Sequence, residues 1–336
     1  MRVFIIGGTN FMGPHVVKQL IDKGHEVMVY HRGSNPAPEI EGVKEVLGDR
    51  EDIVKLKDEA KDFEPDVVVD MVCMFERNVD QLEQALEGIV ERLVVISSAD
   101  VYRAFEVLNQ VTDDPVQPSP IRENDELRTR LYPFKDKLDT EFARKYDKIP
   151  IEQKILNSKN FKGTVLRLPM VYGAKDPNRR FMNYIHKMND GRPHLVMDDR
   201  MANALFSKGY SENIAQAIVE AIENEETIGE IFNLGEPTPI TELEWVKHLK
   251  KVLDWSGEII VAPAGELVDD LGINTDQELH LDTSKFRDIT GFTEEVSLEE
   301  GLNRTVKWEL ENPPEGDFSE VFGYEIEDKV AEKIHQ

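Results

Sequence analysis

The 336-residue sequence predicts an α/β protein: a doubly wound parallel sheet with a smaller α/β lobe interwoven through its C-terminal half. Two observations carry this. Short β-branched runs alternate with amphipathic stretches through the first hundred residues, and a glycine-rich turn joins the first run to the first stretch.

The runs at residues 2–6, 26–30, 43–47, 66–69 and 92–96 have strand length and are rich in β-branched residues, and most are near-continuously apolar, as strands covered on both faces must be. Between the first two, residues 12–23 space Val16, Val17, Leu20 and Ile21 as one face of a helix, and residues 79–90 do the same with Leu82, Ala85, Leu86 and Ile89. Right-handed crossovers between such units build a parallel sheet. Residues 105–133 are proline-rich and charged, which predicts a long loop over the sheet. A helix is expected over about 135–159, kinked or restarted at Pro150, followed by strands at 163–168 and 229–234. Residues 213–223, 241–252 and 298–311 read as helices, the last closed by Pro313 and Pro314. The expected division is a nucleotide-binding domain over 1–170, with 207–235 returning to it, and a substrate lobe from 171–206 and 236–336.

Composition narrows the function. With 66 acidic against 40 basic side chains the net charge is −26, which disfavours nucleic-acid backbones and anionic membranes as partners. The single cysteine, Cys73, excludes a disulfide framework and a multi-cysteine zinc site, and the eight histidines lack metal-binding spacing, so no metal is expected. With neither a leader-like apolar stretch nor a spanning one, the expectation is a cytoplasmic protein.

Gly7-Gly8-Thr9-Asn10-Phe11-Met12-Gly13 follows the first strand and opens the first helix. In that setting a glycine turn lets backbone approach a pyrophosphate, whose charge the helix N-terminus accepts. With this turn the sheet is expected to be a Rossmann sheet. Residues 6–13 resemble the fingerprint of extended short-chain dehydrogenases/reductases, the NAD-dependent epimerase/dehydratase group, with Asn10 at the usual middle glycine. Residues 96–102 (ISSADVY), 165–173 (VLRLPMVYG), 229–235 and 297–308 are similar to further elements of that family in the same order. Gly-Gly-Thr-Asn-Phe-Met-Gly together with Tyr-Asp-Lys-Ile-Pro resembles an atypical branch that includes chloroplast stem-loop RNA-binding proteins. Residues 122–148 hold a nearly balanced set of charges, not the basic stripe an RNA role needs.

The resemblance implies a nicotinamide dinucleotide held by Gly7, Thr9, Asn10, Phe11, Met12 and Gly13, by Asp49 and Arg50 after the third strand, by Met71 and Val72 after the fourth, and by Pro169 after the sixth. Tyr30-His31-Arg32-Gly33-Ser34 carries no carboxylate for a ribose 2′-hydroxyl, while Arg32 suits a 2′-phosphate, so NADP is expected, with NAD as the alternative. The resemblance also implies that Ser98 orients a substrate oxygen and that a tyrosine, Tyr146 by position, moves the proton. A neighbouring lysine should lower that phenol's pKa, yet four residues beyond Tyr146 stands Pro150; Lys148 and Lys154 are the next cations after Tyr146, and Tyr132 with Lys135 or Asp136 is the other candidate pair. Lys175, Arg179 and Arg180, with Arg200 as a further member, form a local basic cluster expected to receive an anionic group of a small-molecule substrate. Met170 stands where relatives that act on nucleotide sugars place an asparagine. His15 and His25 are expected to be structural. By resemblance the protein is expected to form a homodimer. Two functions remain open: a hydride-transferring epimerase, dehydratase or reductase, and a non-catalytic nucleotide-binding regulatory or RNA-associated protein with a degenerate site.

Overall fold

The computed structural model describes residues 1–35, 40–316 and 323–336. Its centre is a seven-stranded, all-parallel sheet. In chain order the strands of the molecule are β1 (Arg2–Ile6), β2 (Glu26–His31), β3 (Val43–Leu47), β4 (Val67–Asp70), β5 (Arg92–Ser98), β6 (Lys162–Leu168), β7 (Met170–Tyr172), β8 (His194–Asp198), β9 (Lys208–Tyr210), β10 (Ile231–Asn233) and β11 (Glu258–Ala262). The large sheet runs β3-β2-β1-β4-β5-β6-β10. The order in which strands are added switches from one side of β1 to the other between β3 and β4, and the crevice beyond the ends of β1 and β4 is where open sheets of this kind bind ligands.

The helices are α1 (Gly13–Asp22), α2 (Ile53–Phe63), α3 (Glu76–Leu86), α4 (Arg103–Leu108), α5 (Glu141–Lys145), α6 (Lys148–Leu156), α7 (Met182–Asn189), α8 (Asp199–Ala202), α9 (Ser211–Glu223), α10 (Glu242–Val252), α11 (Ser284–Thr290), α12 (Leu298–Glu311) and α13 (Tyr324–His335). One face of the sheet is buried by α1 and α9, through Val16, Val17, Leu20, Ile214 and Ile218. The other is buried by α2, α3 and α6, through Leu56, Ala60, Leu82, Leu86, Ile151 and Ile155. Each fully buried aliphatic side chain contributes roughly 1.5–3 kcal/mol, so these two layers hold the sheet. The parallel pair β8–β11 lies apart from the sheet, and α7, α10 and α12 share its core around Trp245, Leu249, Leu195 and Leu302. No helix among the described residues is long and apolar enough to cross a membrane.

The predicted long helix over 135–159 is instead two short ones. Thr140 caps α5 and Asp147 caps α6, each accepting a hydrogen bond from a backbone N–H two or three residues on. Pro150 thus falls in the first turn of α6, where its missing N–H costs nothing. Tyr146 occupies the break, extended, with φ −71° and ψ 121°. The proline-rich stretch after β5 is not a loose cover either: it contributes α4 and the buried side chains of Gln117, Ile121 and Arg128.

Candidate active site

The glycine turn after β1 is built for close approach. Gly7 and Gly8 have φ +94° and +79°, and a Cβ on Gly13 would lie 2.5 Å from the Gly8 backbone, so only glycine lets α1 start this near the strand. Phe11, not Asn10, takes the left-handed conformation, with φ +51°. The Asn10 side chain folds back instead, its Oδ1 accepting the Phe11 N–H at 2.9 Å. No side chain caps α1 at Met12 and no acidic residue stands in its first turn, which leaves a positive helix end facing the crevice. Gly7, Thr9, Met12 and Met71 are partly exposed along it, as is Pro169 at the end of β6, while Val72 is more open. This cradle fits a dinucleotide pyrophosphate.

Beyond β2, His31 is buried and bonded through Nε2 to Glu45 at 2.8 Å, whereas Arg32 is exposed and donates to the Ser34 hydroxyl at 3.0 Å. Asp49 is exposed and its Oδ1 accepts the Glu51 N–H. Arg50 differs from expectation. Its guanidinium is spent on both oxygens of buried Asp70, at 3.1 and 2.8 Å, and on the Val72 and Asn78 carbonyls. Arg50 therefore supports the turn that carries Met71 and Val72 from behind. Cys73 is wholly buried beneath that turn, and burial raises its thiol pKa far above the ordinary value, which makes it a packing residue.

Ser98 ends β5 at the mouth of the crevice, and its Oγ accepts the Asp100 N–H at 3.2 Å. Tyr146 is brought beside it, its ring stacked at 5.0 Å on Phe142 and 5.4 Å from Phe134. The Tyr146 hydroxyl donates to Asp100 Oδ2 at 2.7 Å. Burial first, then the Asp100 carboxylate, push the phenol's pKa well above its ordinary value, with the Ser98 hydroxyl and Arg128 pulling the other way. The expected lysine effect is reversed. Lys148 does lie near, 5.8 Å from the centre of the Tyr146 ring, but its Nζ donates to the Cys73 and Ile96 carbonyls at 2.6 and 3.0 Å. Burial lowers the pKa of this ammonium. Lys154 is on the surface, paired with Glu76 and Asp80.

Beneath the site runs a buried polar network. Arg167 of β6 grips Glu152 of α6 through two bonds of 3.0 and 2.7 Å, and Ser97 donates to the same carboxylate at 2.5 Å. Arg167 also donates to the Tyr102 hydroxyl, which in turn donates to Asn233. Sequence reasoning missed Asp100, Arg128 and Glu152. Asp100 stands in the serine-rich strand end, but its meeting with Tyr146 is a tertiary contact, and no local spacing announces it.

The expected basic cluster is drawn apart. Arg179 is bound to Glu309 of α12 at 2.6 Å and lies over the Trp308 ring, while Arg180 is bound to Asp176 at 2.8 Å and to the Val171 carbonyl. Arg200 is held by Asp198. Only Lys175 stays exposed, left-handed at φ +63°. Each of these arginines is paired with a carboxylate, Arg179 with one from α12 and Arg180 and Arg200 with ones four and two residues earlier in the chain. Tyr172 is fully buried against Phe181, Tyr210 and Trp245, a packing residue of the second lobe. His25 is bonded to Glu223 at 2.8 Å, and His15 lies near Glu212, Lys175 and Arg304. Among the described residues no group of histidine, cysteine or carboxylate side chains is arranged to hold a metal ion.

Comparison with known proteins agrees with this geometry. Residues 3–235 match the NAD dependent epimerase/dehydratase family. Over 324 residues the chain is 26% identical to the chloroplast stem-loop binding protein of 41 kDa b of Arabidopsis thaliana, covering 90% of this chain and 77% of that protein. It is 22% identical to the UDP-N-acetyl-alpha-D-glucosaminuronate decarboxylase of Bacillus cytotoxicus, covering 93% and 99%. The crystal structure of the UDP-glucuronic acid 4-epimerase of Bacillus cereus, in complex with UDP-glucuronic acid and NAD, superposes with a TM-score of 0.68 at 17% identity, covering 93% and 99%. With a glycine cradle that fits the cofactor and a serine–tyrosine pair beside it, the chain belongs to the NAD-dependent epimerase/dehydratase family, enzymes that act by hydride transfer through a nicotinamide dinucleotide.

Proposed function

We propose that this protein is a cytoplasmic, homodimeric, NADP-preferring epimerase, dehydratase or reductase that moves a hydride to or from a sugar-like small molecule. The observation that carries the catalytic part is the convergence of Ser98 and Tyr146 at the crevice between β1 and β4. In this reading Gly7, Thr9, Asn10, Phe11, Met12 and Gly13 hold the pyrophosphate, Asp49 meets the adenine, and Met71, Val72 and Pro169 line the path toward the nicotinamide, with Arg50 bracing it. When bound, the nicotinamide ring supplies the carbon that accepts or returns a hydride. Ser98 orients the substrate oxygen, and Tyr146 exchanges its proton with that oxygen as the carbon–hydrogen bond breaks or forms. The NADP preference rests on Arg32, exposed beyond β2 with no carboxylate among residues 30–35. An anionic substituent of the substrate would meet Lys175, since Arg179 and Arg180 are committed elsewhere. The division into a nucleotide-binding domain and a substrate lobe belongs to this reading, with the substrate between them. The dimer would form through α3 and α6, which pack side by side on one sheet face.

The test begins with nucleotide preference. Arg32→Ala is expected to weaken NADPH binding by about 1.5–3 kcal/mol, on the order of tenfold or more, because it removes a charge-assisted contact to the 2′-phosphate, and to leave NADH binding unchanged. Nicotinamide fluorescence reads both affinities. Equal losses for the two nucleotides would contradict the 2′-phosphate role. A panel of UDP-sugars and UDP-uronic acids, followed by nicotinamide absorbance, then tests the substrate class.

A further inference from the structure

We propose that Asp100 is the proton partner of Tyr146, so that the acid/base unit of this site is a Ser98–Tyr146–Asp100 relay rather than a tyrosine governed by a lysine. The inference rests on the hydride-transfer reading above. Tyr146 makes its 2.7 Å bond to Asp100 Oδ2 in the interior, with Asp100 only 6% exposed. The other carboxylate oxygen, Oδ1, is buried and accepts no hydrogen bond; its nearest cation is Arg128 Nη2, at 3.9 Å. A carboxylate held this way, with spare acceptor capacity and little solvent, is a ready receiver for a proton.

The surroundings fix the pair in place. Arg128 comes from the proline-rich segment after α4 and is itself fully buried; it donates through Nε to the Asp100 carbonyl and through Nη2 to Asp147, at 2.9 Å for the latter. Asp147 in turn caps α6 and accepts the Tyr132 N–H at 2.6 Å. The charged and titratable groups facing Asp100 are thus Arg128, Tyr146, Lys148 and Asp147, and those facing Tyr146 are Asp100, Arg128 and, over its ring, Lys148, beside the Ser98 hydroxyl. Burial raises the Asp100 pKa, opposed by Arg128, by the Tyr146 bond and by Lys148. Burial and the Asp100 carboxylate raise the Tyr146 pKa as well, so the shared proton rests on the phenol until the substrate proton arrives, while burial makes Asp100 a stronger acceptor for it than an exposed carboxylate would be.

In the oxidising direction the balance is as follows. The substrate carbon gives its hydride to the oxidised nicotinamide dinucleotide, and its hydroxyl proton passes to the Tyr146 oxygen. The original Tyr146 proton passes to Asp100 Oδ2. Alcohol, oxidised dinucleotide and Asp100 carboxylate become carbonyl, reduced dinucleotide and Asp100 carboxylic acid. The reducing direction reverses each transfer.

The deciding variant is Asp100→Asn, which keeps an acceptor for the Tyr146 hydroxyl but removes the charge. Ultraviolet difference titration of tyrosinate in wild type, Asp100→Asn, Asp100→Glu and Tyr146→Phe assigns the Tyr146 step by its loss in the last. The expected result is that Asp100→Asn moves that step to lower pH by about one unit or more, tenfold in proton affinity, while Asp100→Glu leaves it close to wild type. If Asp100→Asn fails to fold, Tyr146→Phe gives the reciprocal reading: without its donor the Asp100 carboxyl protonates at higher pH, seen in the infrared carbonyl stretch. A Tyr146 step unmoved in Asp100→Asn, or an Asp100 carboxyl unmoved in Tyr146→Phe, overturns the relay. NADPH titration of the same proteins separates this from the functional reading. Normal NADPH binding with an unmoved phenol sinks the relay alone, whereas a shifted phenol with no binding of either nucleotide sinks the hydride-transfer reading and the relay with it.

Discussion

Tyr146→Phe is expected to abolish all but a small residue of turnover, on the order of 10²–10⁴-fold in kcat, while nucleotide affinity stays at the wild-type value. The phenylalanine ring keeps the stacking on Phe142 and Phe134, so the break between α5 and α6 retains its packing. What is lost is the one hydroxyl that stands between Ser98 and Asp100. Removing it also leaves Asp100 Oδ2 without its donor, which costs about 1–3 kcal/mol of stability. The kinetic effect is therefore to be measured at saturating substrate well below the melting range, on a protein whose circular dichroism matches wild type. A variant that turns over within a factor of a few of wild type would remove Tyr146 from the chemistry and leave Ser98 to be explained otherwise.

Glu152→Leu is expected to be the most damaging single change to stability, at about 3–5 kcal/mol. Arg167 and Glu152 are 1% and 3% exposed at their side chains and share two hydrogen bonds, so deleting the carboxylate strands a guanidinium in the interior. Ser97 loses its acceptor in the same stroke, and the end of β5, where Ser98 sits, loosens with it. The pair as such is not the source of the stability; its incompleteness is the danger. The double variant Glu152→Leu with Arg167→Met should therefore recover much of the loss, because the uncompensated charge is gone. Urea denaturation of the two variants checks this, and equal destabilisation of single and double variants would contradict it.

How much of this was legible beforehand follows from where the information lies. β1, β2, β4, β5 and β6 and α1, α9, α10 and α12 are readable because burial on one or both faces imposes an apolar pattern that survives in the sequence, whereas β3, with no buried residue, is marked only by Val43, Val46 and Leu47. α2 is not marked in the sequence: it buries only Leu56, Ala60 and Phe63, leaves Val54 exposed and is charged at most of its other positions, so its periodic signal is thin. β7 and β9, at three residues each, have no period to detect. The glycine turn between β1 and α1 is legible because glycine spacing, strand and helix are contiguous. The proton-handling group was not. The expected tyrosine–lysine spacing assumes one continuous helix, but Asp147 restarts the chain at α6, which sends Lys148 to the Cys73 and Ile96 carbonyls. Into the place beside the phenol comes Asp100 from the turn after β5, held by Arg128 from a segment that looked like surface loop. The basic cluster failed for a related reason. Adjacent arginines in sequence say nothing of the carboxylates that α12 and the preceding turn bring to them.

In the reading proposed above, the crevice between β1 and β4 holds a nicotinamide dinucleotide for use in hydride transfer. The most direct measurement is a titration of the purified wild-type protein with NADPH and with NADH, following nicotinamide fluorescence. Saturable binding with one nucleotide per chain, tighter for NADPH, is the result predicted by the Gly7–Gly13 turn and by Arg32. No saturable binding of either nucleotide would contradict the account, because the glycine turn would then be a structural feature of the fold alone.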